Sequence, residues 1–202
     1  MRKSREEAAR TRERIITAAA EEFREHGVVA TGLADLMKAA GLTHGGFYKH
    51  FASKDELVQE VTAATVDQTT SLIRQVAEKR PGLKGLADAV AIYLSPEHRD
   101  NPGQGCALAA LGPELGRGDA RTRAEAADGF LKLVDVLVEH AEGMRPDQAR
   151  KRAIAAAATM IGAMTMARMV QDPDLSDTIL KSSADLVVRS FEEIEVAPCF
   201  PQ

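Results

Sequence analysis

Residues 31–57 contain the pattern that most constrains the fold of this chain, namely two short helical stretches joined by a glycine turn. The apolar positions of the first stretch are Leu33, Leu36, Met37 and Ala40. Their three- and four-residue spacing predicts a short helix with one apolar side. Gly41 follows directly and can adopt the left-handed conformation that ends a helix at little steric cost. Thr43 can then cap a second helix by accepting a backbone N–H. Two short helices joined in this way make a helix-turn-helix, whose second helix can enter a DNA major groove.

The second stretch, residues 43–51, combines an apolar anchor with polar side chains and two glycines. Phe47 and Phe51 lie four residues apart, so we expect them to hold the stretch on the core. Gly45 and Gly46 each lower helix propensity by roughly 1 kcal/mol relative to Ala, which suggests that the backbone must approach a partner closely. The polar side chains of this stretch are Thr43, His44, Tyr48, Lys49 and His50. We predict that the first two face base edges and that the other three bind phosphate oxygens.

A long helix is predicted to follow this stretch. Ser53 and Glu56 form a capping-box pattern, and no helix breaker occurs before about Glu78. The connecting helix over residues 54–78 would be roughly 40 Å long at the usual rise per residue. Lys54 lies in its first turn and is a further candidate for binding phosphate, together with the free N–H groups there.

In order and spacing, these motifs resemble the DNA-binding domain of TetR-family transcriptional repressors. The matching positions are Thr31, residues 40–43, residues 45–51 and residues 53–57, with Ile15, Ala18, Phe23 and Gly27 before them. The resemblance therefore covers about the first quarter of the chain, and it departs from the family at Met37, where a small Ala is usual. An ordinary helical hairpin with a surface Lys and His is the alternative. The DNA-binding residues that we predict are Thr31, Thr43, His44, Gly45, Gly46, Tyr48, Lys49, His50 and Lys54.

The rest of the sequence predicts an all-α protein of about nine helices, because period-two strand patterns are nearly absent. We place an N-terminal three-helix domain at residues 1–54, with the helix-turn-helix at about 31–51, and a larger helical domain at residues 55–202. The chain has a net charge of −4. The first 54 residues carry +3 and the remainder carries −7, an asymmetry that favours a DNA-binding first domain. Chance variation among solvated surfaces would also explain so modest a difference.

Two features of the larger domain bear on its partners. Residues 153–167 carry no charge, whereas a surface helix has charges on one side, so this helix needs cover on two sides. Small residues at Ala155, Ala158 and Gly162 leave room for another helix. The last helix, at about residues 175–194, is predicted to face inward with Ile179, Leu186, Val187 and Phe191. Two such helices from each subunit can form a four-helix interface, while a monomer with an Ala-rich core helix is the alternative. Residues 95–105 are predicted to form the main loop.

The sequence contains no catalytic constellation, no cofactor-binding loop and no metal-ligand set. His98 and His140 are isolated, and we expect both on the surface. Cys106 is either a small buried hydrophobe or, at a helix start, a thiol of lowered pKa that senses electrophiles. With Cys199 as the second cysteine, no disulfide framework is expected. The N-terminus has no signal-peptide pattern and no stretch is long and apolar enough to span a bilayer, so we predict a cytoplasmic protein that is not membrane-bound.

The resemblance implies a ligand-responsive DNA-binding regulator that works as a homodimer through its last two long helices. Family habit implies a repressor that a small-molecule effector of unknown identity releases from a palindromic double-stranded operator. Two other classes remain open at this point. A helical protein-interaction adaptor would use the Ala- and Met-rich surface, although it would leave the glycines and basic residues of residues 43–51 unexplained. A small helical enzyme would need a convergent polar site, which the sequence does not contain.

Overall fold

The computed structural model describes the backbone of residues 2–192 and the side chains of residues 5–192, so Cys199 lies outside the described residues. Within residues 2–192 the chain forms helices and no strands, which confirms the predicted fold class. The α-helices are α1 Arg2–His26, α2 Leu33–Ala39, α3 Lys54–Ala77, α4 Gly82–Tyr93, α5 Pro96–Asp100, α6 Ala107–Gly116, α7 Ala120–Glu139, α8 Pro146–Met169 and α9 Pro173–Glu192. Two 3-10 segments lie at His44–Lys49 and Pro102–Gln104. Among the helices of this described part, none is long and apolar enough to cross a membrane.

The contacts divide the described residues into two compact units. The first unit lies within Met1–Ser71 and Glu97–Leu133, and the second within Leu72–Pro96 and Val134–Gln202. The first unit therefore contains the whole predicted DNA-binding domain together with α6, most of α5 and parts of α3 and α7. The boundary that we predicted after residue 54 stays a prediction about function, since compactness groups residues by contact and not by role.

In the first unit, α1 packs against α2, α6 and the 3-10 segment Pro102–Gln104. Its buried positions include Ile15, Ala19 and Phe23, each without exposed surface. Arg24 is also buried, and its Nε donates to the carbonyl oxygen of Gly103 at 2.8 Å. As predicted, α2 ends at a left-handed glycine, since Gly41 has φ +67°. That conformation disfavours side chains other than glycine, so the turn before the recognition segment is set by local sequence.

The predicted loop at residues 95–105 is more ordered than its prolines and glycines suggested. It contains α5 and the second 3-10 segment, because local polar contacts satisfy its backbone. Asn101 Nδ2 donates to the carbonyl oxygen of Glu97 at 2.8 Å, and the backbone N–H of Cys106 donates to His98 Nε2 at 3.0 Å. His98 is therefore half-buried rather than a plain surface residue. The Cys106 side chain is 2% exposed at the N-terminus of α6, as expected of a small buried hydrophobe.

In the second unit, α9 packs against α8 and α4. One side of α8 is buried through alanines and two methionines, among them Ala153, Ala157, Met160 and Met164. The other side of α8 stays open, with Ile154 at 40%, Met166 at 46% and Met169 at 68% exposure. On α9, Val187 and Phe191 are buried as predicted, but Leu186 is 62% exposed, so its inward orientation was wrong. Leu186 directly precedes the buried Val187, and adjacent residues of a helix point about 100° apart, so the two side chains cannot both face the core.

Candidate nucleic-acid interface

The recognition segment, residues 43–51, forms the predicted second short helix, and this helix has 3-10 geometry over His44–Lys49. Its backbone hydrogen bonds join residues that are three positions apart. The Gly46 N–H donates to the Thr43 carbonyl oxygen at 3.0 Å, and the His50 N–H donates to the Phe47 carbonyl oxygen at 2.9 Å. Thr43 occupies the N-terminal cap position, but its side chain makes no capping hydrogen bond, so the predicted Thr43 cap was wrong. Two adjacent glycines weaken a longer α-helix, and short 3-10 turns are common in such connectors.

An aromatic platform holds the recognition segment on the first unit. Phe47 is 0% and Phe51 is 2% exposed, which confirms both predicted anchors. Their rings stack with centroids 5.6 Å apart and planes 26° apart. Tyr48 meets Phe47 edge-on at 5.2 Å between centroids, yet it remains 65% exposed. The platform therefore fixes the Tyr48 ring while leaving most of the side chain open to solvent, where its hydroxyl can donate to a phosphate oxygen.

The remaining polar positions of the recognition segment form one exposed set. Thr43, His44 and Lys49 are exposed, and His50 is half-buried. Thr43 and His44 lie at the N-terminal end, with Tyr48 and Lys49 one turn further on. A positive charge, a phenolic hydroxyl and an imidazole within one short segment can bind phosphate oxygens and base edges together.

Neither glycine of the recognition segment is required by the fold. A Cβ built on Gly45 would meet no atom within 4 Å, and its φ lies outside the left-handed region. A Cβ on Gly46 would lie 3.6 Å from Met37 Cε, which is ordinary van der Waals contact. Because Ala would fit the chain at both positions, the glycines are best explained by something outside it. Met37 itself is fully buried, so the larger side chain that departs from the family pattern fills space beneath Gly46.

Thr31 and Lys54 lie apart from this exposed set, since Thr31 is buried and Lys54 is half-buried. Thr31 is 4% exposed, and its hydroxyl donates to the carbonyl oxygen of Gly27 at 2.7 Å. Lys54 Nζ donates to the carbonyl oxygens of Val28 and Thr31, each at 2.5 Å. Burial lowers the pKa of the Lys54 ammonium, with the carboxylate of Glu114 acting in the opposite direction. Both side chains thus stabilise the turn between α1 and α2.

The N-terminus of α3 carries a variant of the predicted capping box. The Glu56 N–H donates to Ser53 Oγ at 3.1 Å, as the pattern requires. The Glu56 carboxylate, however, accepts from the N–H of Ala52 at 2.6 Å and not from that of Ser53. It therefore fixes the backbone directly after Phe51, at the end of the recognition segment.

Sequence reasoning missed Arg12, which lies on α1 and reaches the far end of the recognition segment. Its guanidinium pairs with both oxygens of Glu60, lies 3.5 Å from Glu56 and donates to the carbonyl oxygen of His50 at 3.4 Å. The hydrogen bonds that the guanidinium donates to the Glu60 carboxylate raise the pKa of Arg12, against the effect of burial. The partners are separated by 38 and 48 residues, so no local periodicity or spacing could have indicated them.

Comparison with known proteins places this interface in context. Residues 15–61 match the family described as bacterial regulatory proteins, tetR family. Over 194 residues the chain is 28% identical to an uncharacterised HTH-type transcriptional regulator of Mycobacterium tuberculosis, covering 90% of this chain and 96% of that protein. It is 38% identical over 60 residues to a probable acrEF/envCD operon repressor of Escherichia coli, covering 30% of this chain and 27% of that protein.

A solved structure extends the similarity to the whole fold. The TetR-family transcriptional regulator of Cytophaga hutchinsonii superposes with a TM-score of 0.75 at 25% identity, covering 95% of this chain and 98% of that one. The match to the operon repressor is confined to 30% of the chain, whereas the similarity to the mycobacterial regulator and to the solved structure covers 90% and 95% of it and so runs through both compact units.

Proposed function

We propose that this chain, which belongs to the TetR family of transcriptional regulators, represses transcription from a palindromic operator and that a small molecule releases it. Members of this family bind DNA and are not enzymes. The observation that carries this proposal is the recognition segment itself. It exposes Tyr48 and Lys49 on a buried Phe47–Phe51 platform, inside the region that matches the family. As part of the same proposal we assign the protein to the cytoplasm, where bacterial DNA lies.

We assign each residue of the interface a role. Thr43 and His44 read base edges from the N-terminal end of the recognition segment. Tyr48, Lys49 and His50 bind phosphates, which fixes register without specifying sequence. Gly45 and Gly46 let the backbone approach the DNA. For Thr31 and Lys54 the hydrogen bonds to the carbonyl oxygens of Gly27, Val28 and Thr31 support a positioning role in the turn that precedes α2. A direct phosphate contact by Lys54 is the alternative that a salt titration tests.

Homodimerisation through α8 and α9 is the second part of the proposal. The outer side of α8 and the exposed leucines of α9 present apolar surface that nothing in the described chain covers. Two DNA-binding domains related by a two-fold axis would read half-sites about one DNA turn apart, ~34–36 Å. In this scheme residues 1–54 read DNA, while residues 55–202 hold the partner subunit and the effector. An effector that binds one arrangement of the dimer better than the other would shift the population away from DNA, and DNA would reciprocally weaken its binding.

Selection of duplexes from a randomised library tests the proposal. We expect the wild-type protein to enrich an inverted repeat and to bind it as a dimer, with an affinity that falls steeply as salt rises. Enrichment of a single half-site bound by a monomer would contradict the palindromic operator. No enrichment at all would contradict sequence-specific DNA binding. For the effector, a panel of amphipathic small molecules is added to the complex with the selected duplex, and we expect at least one class to release the DNA.

A further inference from the structure

We propose that Arg12 is a positioning residue for DNA recognition, which holds the C-terminal end of the recognition segment against α1 and α3 without touching DNA. This inference rests on the proposed function, since it concerns how the recognition segment is presented to an operator. It adds a residue outside the helix-turn-helix motif to those that determine operator affinity.

The first step is the contact between Arg12 and the end of the recognition segment. Arg12 Nε donates to the carbonyl oxygen of His50 at 3.4 Å, and the guanidinium carbon lies 4.4 Å from the centroid of the Phe51 ring. His50 is the last residue of the 3-10 hydrogen-bond series, so its carbonyl needs a partner from elsewhere. A cation over an aromatic face is attracted by the ring quadrupole. One side chain thus contacts the backbone and the anchor of the segment at the same end.

The second step is the attachment of Arg12 to α3. Both terminal nitrogens of Arg12 pair with the two carboxylate oxygens of Glu60, a planar geometry that fixes orientation as well as distance. Glu56 lies 3.5 Å away and uses its other oxygen to accept from the Ala52 N–H. Residues 50–52 are therefore held by Arg12 from α1 and by Glu56 from α3.

The third step is electrostatic. Arg12 faces two carboxylates, so the three side chains together carry a net charge of −1. A guanidinium bound in this way is a poor ligand for a phosphate, because the phosphate would meet both carboxylates. Removing Arg12 should therefore leave the number of DNA phosphates that the protein neutralises unchanged.

The fourth step is the intrinsic weakness of the recognition segment. It is a 3-10 helix of six residues containing two glycines, and such short helices have poor hydrogen-bond geometry and little stability alone. Its geometry must come from outside. The Phe47–Phe51 platform supplies the apolar part of this support, and the Arg12 cluster supplies the polar part at the C-terminal end.

The test compares R12Q, R12K and E60Q with R74Q. Arg74 makes a similar bidentate pair with Glu139, at 3.0 Å for both contacts, and lies in the second unit. Affinity is measured by fluorescence anisotropy across a salt series, with a duplex selected by the wild-type protein and with an unrelated duplex of equal length. Thermal unfolding is measured for every variant. E60Q removes one charge but keeps the contacts of Arg12 with His50 and Phe51, so it remains informative if R12Q folds poorly.

We expect R12Q to weaken binding of the selected duplex about tenfold, with an unchanged salt slope and little change for the unrelated duplex. R12K should recover only part of the loss, because an ammonium cannot reproduce the bidentate pair. E60Q should give a smaller loss than R12Q, and R74Q none. A salt slope flattened by about one unit would make Arg12 a phosphate ligand and overturn the proposal, as would equal losses for both duplexes or no loss at all. If the wild-type protein selects no duplex, the proposed function fails instead.

Discussion

The recognition segment and the outer face of α8 and α9 both expose side chains that the fold does not use, but of opposite chemistry. The outer face consists of Ile154, Met166, Met169, Leu175 and Leu186, each at least 40% exposed. The recognition segment instead exposes Thr43, His44, Tyr48 and Lys49. Exposed apolar side chains on two helices that pack together favour a protein partner, whereas hydroxyl, imidazole and ammonium groups suit a hydrated polyanion. This difference favours two separate partners, a protein on the outer face and DNA on the recognition segment.

Each region also contains a glycine that its own chain does not require. A Cβ on Gly45 or on Gly162 would meet no atom within 4 Å, and neither residue has a left-handed φ. A larger side chain at either position should therefore leave the isolated subunit folded. Any loss that follows such a substitution must come from the partner, and the partner should differ between the two positions.

The largest effect is expected on the outer face. Gly162→Leu adds a bulky side chain where a partner helix would approach, and Leu186→Asp places a charge in an apolar contact. We expect both variants to sediment as monomers with unchanged helix content. Operator affinity should fall about a hundredfold or more, because two linked DNA-binding domains bind on the order of 10²–10⁴ times more tightly than a single one. Sedimentation velocity and anisotropy on the selected duplex measure the two effects together.

Leu72→Asp is the matched control for this prediction, because Leu72 is 49% exposed but lies on α3 and not on the outer face. It should remain dimeric and bind DNA normally. If Leu186→Asp and Gly162→Leu both stay dimeric, the subunit interface lies elsewhere. A monomer that keeps full operator affinity would rule out recognition of the operator by two linked DNA-binding domains.

A smaller effect is expected from Gly45→Ala in the recognition segment. The free energy of unfolding should stay the same or rise by up to roughly 1 kcal/mol, because Ala restricts the unfolded chain more than Gly does. Affinity for the selected duplex should nevertheless fall about tenfold, since the methyl group separates the backbone from the DNA. The subunits should remain dimeric, in contrast to Gly162→Leu.

Gly112→Ala provides the control, since a Cβ there also meets nothing within 4 Å and the residue lies within α6. It should change stability by a similar amount and leave DNA binding intact. If Gly45→Ala binds the selected duplex as tightly as the wild type, the glycine does not serve close approach. The proposed placement of the recognition segment on DNA would then have to change.

The sequence was sufficient wherever a feature depends on neighbours within about one helical turn. The ends of α2 and α3, the left-handed Gly41 and the buried Phe47 and Phe51 all follow from local spacing and turn chemistry. It was insufficient where competing local forces are nearly balanced. Residues 44–49 adopt 3-10 geometry. Two glycines weaken α-helical bonding there, and periodicity does not measure that balance.

The sequence was also insufficient where the decisive partner is distant along the chain. Lys54 looked like a surface cation at a helix N-terminus, but its ammonium reaches carbonyl oxygens 23 and 26 residues earlier. Arg12 was not singled out among the basic residues of α1, yet it pairs with Glu60 on α3. In each case residue type and spacing allowed several partners, and only tertiary packing selects among them.

The smallest effect separates Lys49 from Lys54, two lysines five residues apart that sequence reasoning assigned to the same task. Lys49 is exposed, and among the described residues its side chain has no ion pair. Lys49→Ala should therefore flatten the salt dependence of operator binding by about one log–log unit and shift stability by less than about 0.5 kcal/mol.

Lys54→Ala should instead lower the stability of the fold and leave the salt dependence unchanged. It leaves the carbonyl oxygens of Val28 and Thr31 without their charged donor, at a cost of roughly 1–3 kcal/mol, and it should keep the full salt slope. Thermal unfolding and a salt titration on the selected duplex measure both quantities for both variants. A salt slope flattened as much by Lys54→Ala as by Lys49→Ala would mean that the Lys54 ammonium leaves these two carbonyl oxygens for a phosphate when DNA binds, and the two lysines would then share one role after all.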